Sequence, residues 1–349
     1  MSPAKVVVAA PDLTGFTTEL FTRAGSSPEH AATIAEVLIW AGLRGVDSHG
    51  VSRVPRYLEL LESGEANRDP KMELVSTVPG VAVLDADRAP GPVALTAAAD
   101  EAVARARANG IGAVGVRQTV HTGAIGYYTT RIAEAGLTGI AFVAGMPNMA
   151  YTGAKGAAVA TSPLSIAIPA TGRPPVLLDM ATATIALGKI AQYRSSGTPL
   201  PEGAAATADG TPTTDPALAK IPLPMSGAKG AGMSLAFELI TSVLVGAPIV
   251  SKFHGGDRKH RQNALILALD PAAFGDGAAY PGAVAETLDV LKGLPRADEA
   301  TEIFYPGERS TAVAAQRGAT GIPVGPKIWK ELEAAAEKLG VKVPEPATA

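Results

Sequence analysis

The sequence reads as an α/β protein, and three observations carry that expectation. Helix-like and strand-like segments alternate along most of the 349 residues, with no repeat at a fixed period. The composition, 47% hydrophobic and 18% charged, is that of a packed globular chain rather than a disordered one. The length exceeds the roughly 250–300 residues at which single cores stop growing, so it admits two domains or one large core.

The elements follow in order. Residues 28–43 are expected as a helix, since Ser27 is a suitable N-cap and Pro28 fits the first helical position. A second helix is expected from about residue 51 to a stop at Gly64. Residues 80–85 read as a strand, 94–109 as an alanine-rich helix stopped by Gly110, 111–116 as a strand, 126–134 as a helix and 139–143 as a strand. Two short strands, 165–168 and 176–179, precede a helix over 182–194. The stretch 197–224, rich in Pro, Gly, Thr and Asp, reads as a long irregular loop. An apolar helix over 232–245, a strand over 264–269, a helix over 281–291 and an amphipathic helix over 326–339 complete the chain.

Charge and composition exclude several classes of function. A net charge of −3 with no basic run gives no field for nucleic acid or an anionic membrane. Zero cysteines excludes disulfides and thiolate metal sites, leaving only His, Asp and Glu as metal ligands. The opening run Val6-Val7-Val8 is too short for a secretory signal, and no window approaches the ~18 apolar residues of a membrane span, so a cytoplasmic soluble protein is expected.

The densest chemistry lies in Arg44-Gly45-Val46-Asp47-Ser48-His49-Gly50-Val51-Ser52-Arg53-Val54-Pro55-Arg56-Tyr57. With a helix opening near Val51, His49 and Arg53 would lie on one face about one turn apart, a pairing suited to a proton donor beside a carboxylate anchor. The competing reading makes His49 a cap and the arginines solvated charges. Of the other histidines, His30, His254 and His260 sit in polar surroundings that point to surface positions.

Gly110, Gly112 and Gly115 reproduce the spacing of the dinucleotide fingerprint. The mechanism of that motif needs a strand before the glycines and a helix starting within them. Here a helix precedes and a strand follows, so a helix cap and a closely packed strand are expected, and Gly112→Ala should cost about 1 kcal/mol or less. Any dinucleotide is therefore held on a non-Rossmann frame.

Three further segments are suited to binding. His121-Thr122-Gly123-Ala124-Ile125 follows a strand and enters a helix, with small residues that let a ligand approach the backbone. Asp179-Met180-Ala181-Thr182 is expected to end a strand and begin a helix with free N–H groups for an anion. Lys229 stands among glycines before a helix. A metal site from His49, His121 and Asp179 lacks any supporting ligand spacing.

These segments together resemble the type-2 malate/L-lactate dehydrogenase family, which also includes sulfolactate and ureidoglycolate dehydrogenases, diketogulonate reductase and cyclic-imino-acid reductases. The resemblance rests on Gly45 to Val51 with Arg53 and Tyr57, His121-Thr122-Gly123, Thr161-Ser162-Pro163, Leu178 to Thr182, Asp209-Gly210, Thr213 to Pro216, Lys229-Gly230 and Pro306-Gly307-Glu308, in that order. It covers residues from about 13 to 337.

What the resemblance implies is a mixed, largely antiparallel sheet flanked by helices, a helical lobe from both chain ends, and NAD or NADP as cofactor in a homodimer. The helical lobe, for substrate and dimerisation, would take residues 1–75 with 310–349, and the cofactor lobe 76–309. His49 would be the proton donor, with Ser48 relaying or orienting it. Arg53 would hold the substrate carboxylate, and Thr161 and His121 would touch the substrate. His121, Thr122, Gly123, Ala124, Ile125, Asp179, Met180, Ala181, Lys229, Gly307, Glu308 and Arg309 would line the cofactor. No metal is implied.

The chain departs from the commoner family pattern at Thr119-Val120-His121-Thr122-Gly123, where many members have Ser-Asn-His-Phe-Gly, and at Ala160-Thr161-Ser162-Pro163, where they have Gly-Thr-Asn-Pro. Both changes remove amide or aromatic groups beside the substrate. The expected function is hydride transfer between nicotinamide and a small 2-hydroxy acid/2-oxo acid pair, with a cyclic-imino-acid reductase as the alternative. A metal-dependent lyase or hydrolase and a catalytically silent binder are the readings from other classes.

Overall fold

In a computed structural model of the chain, which describes residues 5–255 and 261–346, a seven-stranded sheet carries one core and a helical lobe carries another. The lobe begins with β1 (Val6–Val8), α1 (Ala10–Arg23) and α2 (Pro28–Leu43). α2 starts as its sequence requires, with the Ser27 hydroxyl accepting the His30 N–H at 3.2 Å. α1 was not anticipated, although Leu13, Phe16, Leu20 and Phe21 recur at helical spacing and are buried.

The helix expected from about residue 51 begins later. Two short 3-10 turns, Asp47–His49 and Val51–Arg53, precede α3 (Val54–Glu62). Pro55 has no N–H to donate and tolerates only the first helical turn, so the α-helix can start no earlier than its immediate neighbourhood. His49 and Arg53 therefore lie on successive tight turns, not on one α-helical face.

The sheet follows with β2 (Glu73–Val78), β3 (Val81–Asp85), α4 (Gly91–Asn109), β4 (Ile111–Thr119), α5 (Gly126–Glu134) and β5 (Thr138–Ala144). A small hairpin, β6 (Met149–Ala150) and β7 (Ala157–Val159), leads to β8 (Leu164–Ile168) and β9 (Val176–Met180). After α6 (Leu187–Ser196), β10 (Ala205–Ala206), β11 (Pro212–Thr213) and β12 (Ile221–Pro222) form a separate three-stranded sheet. Then come α7 (Ala228–Glu238), which runs on as a π turn over Leu239–Val243, and α8 (Val250–His254), β13 (Gln262–Leu269) and α9 (Tyr280–Lys292). α10 (Glu308–Thr320), β14 (Ile322–Val324) and α11 (Pro326–Leu339) return to the helical lobe, where β14 pairs antiparallel with β1.

The main sheet has the order β2-β3-β4-β13-β5-β8-β9, and β3–β4 is its single parallel pair. The non-Rossmann, largely antiparallel expectation is met. Gly110 closes α4 in a left-handed conformation at φ 82°, as expected of a C-cap. The small cost expected for Gly112→Ala is overturned: a Cβ there would lie 2.0 Å from the Ala102 carbonyl oxygen of α4. On the opposite face, a Cβ at Gly115 would lie 2.5 Å from Val245 Cγ1. These glycines let α4 press on one face of β4 and the turn after the π segment, at Val245, on the other.

Other expectations need correction. The helix expected from residue 182 starts only at Leu187, because the Thr182 and Thr184 N–H groups go to the carbonyls of Thr161 and Leu223 instead. β-branched residues in that stretch favour such extended backbone. The loop 197–224 contains β10, β11 and β12, whose small core holds Ile185, Ile190, Leu200 and Ala205. The apolar helix begins at Ala228 and does not reach Val245. His254 is exposed, as expected; His30 is half-buried with its Nδ1 enclosed and unpartnered; His260 lies outside the described residues.

Candidate active site

A cleft of about 990 Å³ opens where the ends of several strands meet the helical lobe. It is lined by the turns after α2, the β4–α5 turn, the segment before β8, the end of β9 and the approach to α10. Of the residues singled out from sequence, Ser48, His49, Arg53, His121, Thr122, Gly123, Ala124, Ile125, Thr161, Asp179, Met180, Ala181, Gly307 and Arg309 line this cleft. Lys229 does not; it is exposed in the first turn of α7. Glu308 does not either, because its carboxylate accepts from Lys292 Nζ and from the Tyr305 N–H.

The cleft brings two histidines together. The rings of His49 and His121 stack with centroids 5.6 Å apart and an interplanar angle of 29°. The Ser48 hydroxyl lies 3.0 Å from His49 Nδ1. It can donate to a neutral ring or accept from a charged one, so His49 can hold either protonation state. Burial, and then the Arg53 charge, push the His49 pKa down to about 4. Arg53 is aimed by its Nε, which donates to the Ser48 carbonyl at 2.6 Å. The turn is anchored from behind, where Arg317 of α10 pairs with the Asp47 carboxylate and donates to the Gly42 carbonyl.

His121 is held differently. Its Nδ1 accepts the Gly123 N–H at 3.2 Å and faces the Tyr57 hydroxyl at 2.7 Å. Tyr57 is 4% exposed, and burial raises its pKa above the ordinary phenol range, so the hydroxyl keeps its proton and donates. With two donors at Nδ1, the hydrogen bonds assign the ring proton of His121 to Nε2. Gly123 must be glycine for this turn, since its φ is 72° and a Cβ would lie 3.1 Å from Val37 Cγ1.

Asp179 sits at the start of α5 rather than at a helix of its own. Its carboxylate accepts the Gly126 N–H at 3.0 Å, and a Cβ at Gly126 would strike that oxygen at 2.6 Å. Asp179 faces the open cleft, yet the surrounding protein raises its pKa to about 6, with the Gly126 hydrogen bond opposing the shift. The cleft also holds three guanidiniums, Arg44, Arg53 and Arg309, none of which forms an ion pair among the described residues. A chain of net charge −3 thus lines this cleft with mostly positive groups, an environment that calls for an anionic guest.

Sequence reading assigned no role to four contributors, two of which, Arg44 and Tyr57, it had named within the Arg44 to Tyr57 stretch. Gln262 enters the cleft at a register shift between β13 and β4, and its Oε1 accepts the Thr122 N–H at 2.9 Å. Asn148 Oδ1 accepts the Thr161 N–H at 3.0 Å. Tyr57 and Arg44 are the others. Trp40 and Arg44 carry a readable signal, being four residues apart at the end of a helix, and the Arg44 guanidinium lies 4.8 Å from the Trp40 ring centroid. Nothing in the sequence announces the register shift that presents Gln262.

Comparison with known proteins agrees with this geometry. Residues 8–333 match the malate/L-lactate dehydrogenase family. A ureidoglycolate dehydrogenase (NAD(+)) of Escherichia coli is 33% identical over 314 residues, covering 89% of this chain and 90% of that protein. The solved structure of sulfolactate dehydrogenase from Methanocaldococcus jannaschii superposes with a TM-score of 0.87 at 30% identity, covering 96% of this chain and 98% of that one. The delta1-piperideine-2-carboxylate reductase structure from Pseudomonas syringae superposes with a TM-score of 0.84 at 27% identity, covering 95% and 99% of the two chains.

Proposed function

The chain belongs to the malate/L-lactate dehydrogenase family, and from that premise we propose that it is an NAD(P)-dependent oxidoreductase acting on a small 2-hydroxy acid/2-oxo acid pair. The observation that carries the proposal is a histidine with a two-way hydroxyl partner beside an unpaired arginine in one cationic cleft. The cleft fits the family's cofactor. Its volume is near the top of the range for small-molecule sites, and Gly123 and Gly307 present backbone that a dinucleotide can approach closely. His121 to Ile125, Asp179 to Ala181, Gly307 and Arg309 are the residues to hold it. Lys229 and Glu308 have no place in this cleft within a single chain.

The bound nicotinamide supplies the hydride acceptor or donor. Arg53 grips the substrate carboxylate with its terminal nitrogens, a bidentate match that an ammonium cannot make. In the direction of oxidation, neutral His49 takes the hydroxyl proton as hydride leaves the carbon. In the direction of reduction, protonated His49 returns it to the oxygen. Burial is the larger cause of the depressed His49 pKa and the Arg53 charge the smaller; a carboxylate on Arg53 offsets only the smaller one. Ser48 orients the ring, and Thr161 touches the substrate. The cyclic-imine reading keeps the same proton donor and anchor; the solved reductase neighbour and the smaller Thr122 and Ser162 favour it as the second reading.

We further place residues 1–75 with 310–349 as a substrate and dimerisation lobe, and residues 76–309 as the cofactor lobe, of a cytoplasmic homodimer; sedimentation tests the assembly. Among the described residues no helix is long and apolar enough to cross a membrane. The test of function is a panel of 2-oxo acids and cyclic imines, scored by loss of reduced-nicotinamide absorbance with each cofactor in turn. Turnover of a 2-oxo acid is expected. Turnover of cyclic imines alone selects the second reading, and no turnover with either cofactor overturns both.

A further inference from the structure

Arg44 ends α2 and has no part in the substrate chemistry above. Its guanidinium lies over the Trp40 ring, and NH1 alone makes both of its hydrogen bonds, to Ser310 Oγ at 3.2 Å and Thr311 Oγ1 at 3.1 Å. The rest of the fork has no carboxylate partner among the described residues. Arg309 adjoins Ser310 in the chain and rests over the Phe304 ring at 4.9 Å from its centroid. Each guanidinium thus rests over an aromatic ring, and both keep N–H groups with no protein acceptor among the described residues. Both line the cleft, as does Ser310, whose hydroxyl accepts from Arg44 and donates to the Gly307 carbonyl at 2.9 Å.

The charges count against a single carboxylate as the only guest. Arg53 alone matches a small monocarboxylate, which leaves Arg309 and Arg44 without a guest charge, Arg44 feeling only the Glu134 carboxylate beyond ion-pair distance. A tetrahedral oxyanion with several acceptor oxygens can take hydrogen bonds from two forks at once, which a planar carboxylate held by Arg53 cannot. We propose that Arg44 and Arg309 form a phosphate subsite for the dinucleotide, with Arg44 as its main determinant and Ser310 as the group that positions it. The inference rests on the nicotinamide reading and names the residues that grip its charge. A dinucleotide offers two such sources, the pyrophosphate common to NAD(H) and NADP(H) and the 2′-phosphate found only in NADP(H).

The test is equilibrium binding of NADH, NADPH and inorganic pyrophosphate to the full chain, read by titration calorimetry, in the wild type, Arg44→Gln and Arg309→Gln. Gln at 44 keeps a donor for the two hydroxyls while removing the charge. Arg309→Gln disturbs only a ring contact, so one variant stays informative if the other melts early. Arg44→Gln is expected to weaken dinucleotide binding at least tenfold, and Arg309→Gln less. Equal loss for both cofactors assigns the pyrophosphate; loss for NADPH alone assigns the 2′-phosphate. Unchanged Kd for both cofactors in both folded variants overturns the subsite. If the wild type binds neither cofactor yet binds pyrophosphate in an Arg44-dependent way, the subsite stands and the nicotinamide reading falls.

Discussion

The turn that carries His49 and the turn that carries His121 place two imidazoles face to face, yet treat their protons in opposite ways. His49 faces a serine hydroxyl that can reverse its hydrogen bond, and burial, then the neighbouring Arg53, depress its pKa. His121 faces two donors, a backbone N–H and a phenol that burial keeps protonated, so its tautomer is fixed. A ring that must gain and lose a proton in each cycle needs a partner that tolerates both states. A ring that positions a ligand is better served by a locked one. This difference is why the proposed function gives proton transfer to His49 and positioning to His121.

The largest expected effect is that of His49→Asn, which should lower kcat by roughly 10²–10⁴ while cofactor binding is retained. Near-normal turnover here, with abolished turnover in His121→Asn, would reverse the two roles. Next comes Arg53→Lys, for which KM for every accepted carboxylate should rise by about tenfold or more with little change in cofactor affinity. An unchanged KM removes the anchor role. His121→Asn should chiefly weaken the cofactor, seen as a raised Kd by fluorescence titration. Smallest is Tyr57→Phe, which removes one donor from His121 and should cost about 1 kcal/mol, or roughly fivefold, in cofactor affinity. If it changes kcat and leaves Kd alone, His121 is not merely positioning.

Much of this fold was legible because local signals agreed with the tertiary outcome. The start of α2 at Ser27-Pro28, the stop of α4 at Gly110 and the bounds of α11 each have a cap or breaker in the sequence. The rejection of the Gly110 to Gly115 motif also held, since order along the chain decides whether a helix terminus exists there. What failed was any inference that depended on what lies across a contact. The intolerance of Gly112 comes from Ala102 on α4, and Gly112→Ala should cost about 3 kcal/mol or more, read as a lowered Tm. Likewise β1 is a strand only because residues 322–324 return to pair with it. In the site, His49, Arg53 and His121 were readable as residue types at turn positions. Gln262 and Asn148 were not, because they act through backbone N–H groups distant in sequence.

The most direct test of the central claim is the pH profile of kcat/KM for oxidation of the preferred hydroxy acid, in the wild type and in His49→Asn. In the proposed function neutral His49 is the active form in this direction, and in the free enzyme its pKa is held at about 4 by burial and Arg53. Asp179, raised to about 6, shares the cleft and titrates in both proteins, so the difference between the two profiles isolates the histidine. The expected result is a wild-type profile with a one-proton fall near pH 4 that disappears in His49→Asn. An acid fall near 4 that survives in His49→Asn, or a wild-type fall near the ordinary histidine value of about 6.5 that His49→Asn leaves in place, would contradict the assignment of proton transfer to His49.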